Sequence, residues 1–257
     1  MTDKRERVAK IMSRAGLCSR REAETWIADG RVKLDGIVLT EPGTKVDVMT
    51  SAISLDDLPI PMRDRLRLWL YHKPRGLIST NRDPEGRPTI FDDLPPDMPR
   101  VISVGRLDMN TEGLVLLTND GDLARTLEHP STGWIRRYRV RAFGEVKLHR
   151  LKQLSKGVVV RGITYRPIQV EIEHRQGDNT WLNVSCCEGK NLEVKRVLSY
   201  CGVKVNRLIR ISFGPFHLSN LKKSGVFEVD EQTVLRQLKG LDLQSLKQVF
   251  EPERRMN

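Results

Sequence analysis

The sequence predicts an α+β fold in two parts: a small helix–helix–hairpin module at the N-terminus, then a larger domain on a mixed, largely antiparallel sheet. Three observations predict it. Two helical periods and one alternating pair of runs follow each other within residues 5–50. A stretch with two prolines, several acids and no sustained period, 51–66, reads as a linker containing a short return strand. From 67 to 238 alternating runs are separated by only two or three helical stretches, the pattern of α+β. A chain of 257 residues is long enough for one large core plus a small module.

In the module, Val8, Ile11, Met12 and Ala15 fall at helical spacing, and Gly16 stops the helix. Ser19-Arg20-Arg21-Glu22 fits a capping box for a second helix that buries Ala23, Trp26 and Ile27 and ends at Gly30. Val32 and Leu34 then alternate with Arg31 and Lys33, and Asp35-Gly36 turns the chain into Ile37-Val38-Leu39. Arg20 and Arg21 occupy a first helical turn, where the helix dipole prefers acids. A phosphate there would meet free amides and both guanidinium groups, which makes this helix start a candidate contact for a nucleic-acid backbone.

The second domain opens with the strand Leu68-Trp69-Leu70-Tyr71 and a basic turn, His72 to Gly76. Arg82 and Arg87 follow on a proline-containing loop, either a phosphate contact or a rigid surface loop. A strand at Val101–Val104 leads to Asp108, on a loop bracketed by Gly105 and Gly113 and carrying Arg106 as a phosphate-binding charge. Leu114 to Leu117 is a continuous apolar block, the signature of a strand buried on both faces, and Asn119-Asp120-Gly121 turns it into a helix from Asp122 to His129. Trp134 to Arg141 alternates strongly, with Arg136, Tyr138 and Val140 on one register. A helix at Leu148–Leu154 and strands at Val158–Val160, Ile168–Ile172 and Trp181–Cys186 come next. Leu192, Val194, Val197 and Leu198 then keep helical period on a segment bearing Lys190, Lys195 and Arg196. Val205 to Ile211 is a basic alternating strand containing Arg210, and residues 239–257 read as a tail.

A net charge of +11 favours a polyanionic partner, nucleic acid before membrane surface. Cys18, Cys186, Cys187 and Cys201 lack C-x-x-C spacing, and the five histidines lack metal-ligand spacing, so no metal is expected. The first residues lack the apolar region of a signal peptide, and no window approaches the ~20 apolar residues of a membrane span. A cytoplasmic protein with reduced thiols is expected.

The segment GRLDMNTEGLVLLTNDG resembles the GRLD active-site motif of pseudouridine synthases, in the branch containing RsuA, RluB, RluE and RluF, which modify ribosomal RNA. Similarly, AGLCSRREAETWIADGRVKLDG resembles the small RNA-binding domain of ribosomal small-subunit protein four. The resemblance implies a pseudouridine synthase fold around a central cleft. It assigns Asp108 as the catalytic carboxylate, Tyr138 of the Tyr-Arg-Val run as the residue against the uracil, and Lys195 of EGKNLEVKRVL as the cation beside the aspartate, with Arg196 as its competitor. It places Arg20, Arg21 and Arg31 on the RNA-facing side.

Isomerising uridine needs an ionised carboxylate near C1′ and C2′, acting as nucleophile or as base, with a cation to keep it charged, and consumes no redox equivalent, metal or nucleotide. The target must be flipped out to reach such a group. No cofactor is expected, and the expected partner is a ribosomal RNA stem-loop met by a monomer. The DPEGRPTIFDDLP segment favours the large-subunit members of the branch, although small-subunit enzymes share the motifs. Two other readings are a non-catalytic ribosome-assembly factor, against which Asp108, Tyr138 and Lys195 argue, and a two-metal nuclease, whose convergent carboxylates are lacking.

Overall fold

A computed structural model of the chain describes residues 5–239. The expected tail lies outside the described residues apart from Lys239.

The N-terminal module contains β1 (Arg5–Arg7), α1 (Val8–Arg14), α2 (Arg20–Ala28), β2 (Val32–Leu34), β3 (Ile37–Val38), β4 (Lys45–Asp47), β5 (Ile53–Leu55) and β6 (Leu58–Pro59). The capping box forms: the Glu22 amide donates to Ser19 Oγ at 3.1 Å and the Ser19 amide donates to Glu22 Oε2 at 2.7 Å. Val8, Met12, Ala23, Ile27, Val32 and Ile53 make a small core of their own. Trp26 departs from expectation. It is only half-buried, with the exposed Arg31 guanidinium over its ring at 5.1 Å. The strands β5 and β6 pair onto the module's sheet in the order β3-β2-β5-β6, so the connector between the two sheets is limited to residues 60–67.

The larger domain follows as β7 (Leu68–Lys73), β8 (Ile102–Val104), β9 (Glu112–Thr118), α3 (Gly121–Glu128), β10 (Arg136–Phe143), α4 (Leu148–Gln153), β11 (Val158–Val160), β12 (Ile163–Tyr165), β13 (Gln169–Gln176), β14 (Asn179–Cys186), α5 (Glu193–Tyr200), β15 (Lys204–Phe213), β16 (Phe216–His217), β17 (Val226–Val229) and α6 (Glu231–Leu238). One sheet runs β13-β14-β10-β15-β9-β7-β17, with β8 on β9 and β16 on β15. Among the described residues its pairs are antiparallel except β15 with β9, so the sheet is mixed and largely antiparallel as predicted.

Every residue of β9 is buried. Val115 and Leu117 enter one apolar cluster with Tyr71, Tyr138 and Val197, while Leu114 and Leu116 enter the other with Leu123, Leu127 and Phe213. The strand is thus sandwiched, which is why its sequence is a run and not an alternation. Gly113 begins that run for a steric reason: a Cβ built on it would lie 2.3 Å from the Arg210 carbonyl oxygen, at φ +107°. Only glycine lets β15 pass this close to the end of the Asp108 loop.

Candidate active site

Asp108 sits where β8 hands over to β9, and the loop around it is pinned from three sides. The Thr111 amide closes a turn on the Asp108 carbonyl at 2.9 Å. Ser79 Oγ accepts from the Leu107 amide at 3.2 Å and donates to the Leu107 carbonyl at 3.0 Å. Beneath the loop, the fully buried ammonium of Lys73 donates to the carbonyls of Pro74, Met109 and Thr111 at 3.0, 3.2 and 2.9 Å. Burial pushes the Lys73 pKa down from 10.5 to about 8, against the pull of Asp108 and Glu112 and with the help of Lys195.

Lys195 arrives from α5, and its Nζ stands 3.5 Å from Asp108 Oδ2. The pair is accessible, with the aspartate side chain 34% exposed and the lysine 27%. Of the two cations weighed in the sequence, Lys195 is thus the one paired with Asp108. Both elements open onto a cleft of about 530 Å³, lined also by Thr80, Arg106, Tyr138 and Arg210. Tyr138, inward on β10 and 8% exposed, presents a phenol whose pKa burial pushes up to about 12, with Arg210 working against the shift. At the other wall, burial and then the neighbouring Glu188 raise the Glu193 carboxyl to about 7. The arrangement can hold a flat group against Tyr138 while offering a charged carboxylate, steadied by an ammonium, to what is attached to that group.

Comparison with known proteins identifies the family. The RNA pseudouridylate synthase family matches residues 67–200, and the S4 domain family matches residues 6–51. The chain is 46% identical over 227 residues to an uncharacterized RNA pseudouridine synthase of Rickettsia felis, covering 88% of this chain and 98% of that protein. It is 41% identical over 260 residues to the ribosomal large subunit pseudouridine synthase B of Yersinia pestis, covering 97% of this chain and 81% of that one. The chain belongs to the RNA pseudouridylate synthase family. Its fold agrees with a crystal structure of a pseudouridylate synthase at a TM-score of 0.64 and 24% identity, over 90% of this chain and 99% of that one.

Within this synthase the arginines singled out from sequence have separate fates. Arg106 is exposed at the cleft, and Arg20, Arg21 and Arg82 are exposed on the surface. Arg196 is half-buried on α5. Arg31 is tied to Asp56 by a 3.0 Å hydrogen bond, and Arg87 is held by Asp83 at 2.8 Å and Glu85 at 2.9 Å, so the charge of both is balanced locally. Arg210 departs most from a surface phosphate contact. It is 3% exposed, with Nε donating to the Leu114 carbonyl at 2.7 Å, and its strand register turns it into the cleft wall.

The S4 module is joined to the synthase domain by an ion cluster, a finding the linker composition did not suggest. Asp120 caps α3 by accepting from the amides of Asp122 and Leu123, and it also receives Arg63 at 2.8 Å and Arg14 at 3.7 Å. Asp122 receives Lys10 at 2.8 Å and Arg14 at 2.7 Å, while Glu6 holds the other side of both cations. The Glu22 carboxylate is held below its ordinary range first by the Ser19 amide and then by Arg100 and Arg82 of the synthase domain.

Sequence reasoning missed Lys73, Ser79 and Glu193. A signal existed for the first: Trp69, Tyr71 and Lys73 share one register of β7, the buried one, so alternation alone points the lysine inward. Among the described residues no group of three or more histidine, cysteine, aspartate or glutamate side chains is arranged to hold a metal ion, and no helix is long and apolar enough to cross a membrane.

Proposed function

We propose that this synthase converts a uridine of ribosomal RNA, in the large subunit, to pseudouridine, with Asp108 as the catalytic group, Lys195 as the cation that keeps it ionised, and Tyr138 as the stacking partner of the flipped base. The observation that carries the reading is Asp108, paired with Lys195 at 3.5 Å and lining the same cleft as Tyr138. The large-subunit target rests on the likeness to ribosomal large subunit pseudouridine synthase B, which spans nearly the whole chain.

The steps follow from the groups present. Exposed arginines of the module and of the cleft rim, Arg20, Arg21, Arg82 and Arg106, hold backbone phosphates on either side of the target. Those contacts offset the few kcal/mol needed to unpair and unstack the nucleotide. Inside the cleft the base lies against Tyr138, which brings the ribose C1′ and C2′ to the Asp108 carboxylate. The carboxylate acts as nucleophile or base, the C1′–N1 bond breaks, the ring turns, and C5 bonds to C1′. Specificity resides in stem-loop shape and single-stranded bases. The enzyme acts as a cytoplasmic monomer, residues 5–50 with the added strands β5 and β6 serving as the RNA-binding module and 67–238 as the catalytic domain.

Mapping pseudouridine in ribosomal RNA of cells lacking this protein tests the reading. One large-subunit position is expected to lose the modification, to regain it with the wild type, and not to regain it with Asp108→Asn. Rescue by both versions would overturn the role of Asp108, and a lost position in small-subunit RNA would overturn the target.

A further inference from the structure

Buried polar groups in folded proteins are almost always paired, so those left over in a concave site mark where a ligand's polar atoms go. Two residues of the Asp108 cleft carry such a group: Thr111 and Arg210, 1% and 3% exposed, line it, and Thr111 Oγ1 and Arg210 Nη2, buried just behind its surface, lack any hydrogen-bond partner. The rest of Arg210 is fixed. Its Nε donates to the Leu114 carbonyl at 2.7 Å, its guanidinium packs 5.1 Å from the Phe213 ring centre, and Tyr138 is its register partner across β10 and β15.

The other buried and half-buried cations near the Asp108 loop are already occupied. Lys195 faces Asp108, and Lys73 serves three carbonyls. Arg136 donates to the carbonyls of Trp134, Cys187 and Glu128. No salt bridge among the described residues engages Arg210. A buried cation without a carboxylate is costly, and its cost lowers the guanidinium's own affinity for its proton. It is retained beside an aromatic wall, where the ligand chemistry it fits is a flat ring with carbonyl oxygens that become more negative during reaction.

Uracil has that chemistry. When C1′–N1 breaks, the bond's electron pair leaves with N1 and spreads onto O2 and O4. The deficit at the sugar is met by the Asp108 carboxylate, through attack at C1′ or removal of the C2′ proton. After the ring turns, a pair from C5 bonds to C1′ as the Asp108 carboxylate either leaves C1′ or returns the proton to C2′, the C5 proton goes to a base, and N1 takes up a proton, so uridine and pseudouridine balance as isomers. We propose that Arg210 and Thr111 form the subsite for the uracil carbonyl oxygens, and that the Arg210 guanidinium stabilises the anionic ring released when the glycosidic bond breaks. The proposal rests on the cleft being the uridine site.

The test uses the full chain with a ribosomal stem-loop containing either uridine or 5-fluorouridine at the target. Single-turnover consumption of the target nucleoside and RNA affinity are measured for wild type, Arg210→Met and Thr111→Val. Arg210→Met is expected to lower the uridine rate about a hundredfold or more, with RNA affinity within about threefold of wild type. With 5-fluorouridine, whose ring departs more readily as an anion, the deficit is expected to shrink. Thr111→Val, nearly isosteric, is expected to cost about tenfold, and it reads the same subsite if Arg210→Met does not fold. A wild-type rate in both variants overturns the proposal, as does an equal deficit for the two bases, which marks a purely structural role. If the wild type itself converts no uridine, the reading of the cleft fails before any variant is compared.

Discussion

Lys73→Met is the perturbation that most sharply separates support of the site from support of the fold. The lysine is fully buried and gives three charge-assisted hydrogen bonds to carbonyls, two of them on the Asp108 loop, at 3.2 Å to Met109 and 2.9 Å to Thr111. Methionine fills similar volume but donates nothing, which leaves the Met109 carbonyl with the Gly76 amide alone, at 2.8 Å, and orphans the Thr111 carbonyl at roughly 1–3 kcal/mol. Against this, the variant no longer buries an ammonium, a cost of similar size for the fold as a whole. The two terms nearly cancel in global stability, so the melting temperature is expected to move by only about 2–4 °C per net kcal/mol. They do not cancel at the loop, which relieves its loss by shifting toward water. A displacement of ~1 Å at a reacting group costs about a hundredfold in rate, or about 2.7 kcal/mol, within the roughly 1–3 kcal/mol that the orphaned Thr111 carbonyl has available. Single-turnover isomerisation is therefore expected to fall about a hundredfold, with amide exchange quickened across residues 105–113. A rate within about threefold of wild type and unchanged exchange would refute the reasoning. The same lysine has a pH signature. Its folded pKa of about 8 lies below the ordinary 10.5, so between these values the unfolded chain holds a proton that the folded chain has released. Stability from this group rises with pH across that window, and Lys73→Met is expected to remove the rise from urea midpoints.

Other consequences can be checked beside it. Glu193, raised to about 7 by burial and by Glu188 and facing Lys190 and Cys186, keeps its proton in the fold above the ordinary 4.5. Stability from it falls as pH climbs from about 4.5 to 7, and Glu193→Gln is expected to flatten that slope in urea titrations. An unchanged slope would contradict the assignment. Gly113→Ala places a Cβ 2.3 Å from the Arg210 carbonyl oxygen at φ +107°, and a destabilisation of about 3 kcal/mol or more is expected by chemical denaturation. Asp120→Asn keeps the oxygen that caps α3 but removes the charge facing Arg63 and Arg14. The loss is expected to approach roughly 3–5 kcal/mol, less what Arg14 recovers from Glu6 and Asp122, and to appear as faster proteolysis within residues 60–67. Unaltered cleavage would show that the cluster does not hold the module.

What the sequence made legible was local. The capping box at Ser19, the doubly buried run from Leu114, the turn at Asn119-Asp120-Gly121 and the alternation through Tyr138 each depend on neighbours a few residues away, and each formed. Arg210 was harder for a physical reason. Both faces of β15 carry apolar residues, Leu208 on one and Ile209 and Ile211 on the other, so alternation does not choose between them. Its arginines suggested a solvated face, yet Arg207 is spent on Glu112 at 2.9 Å and Arg210 goes inside. The ion cluster at α3 joins residues from Glu6 to Asp122, and no local pattern encodes a meeting over that separation. Lys73 is the instructive middle case: its register was readable, but charge overrode the alternation in the reading of the turn.

The most direct test of the catalytic assignment is tritium release from a ribosomal stem-loop labelled at C5 of its uridines, since forming the C1′–C5 bond expels the hydrogen at that carbon. Wild-type enzyme is expected to release one equivalent per target uridine with chelator present, and Asp108→Asn none while binding the RNA equally well. Release by the Asp108→Asn enzyme at a rate near wild type would contradict the account.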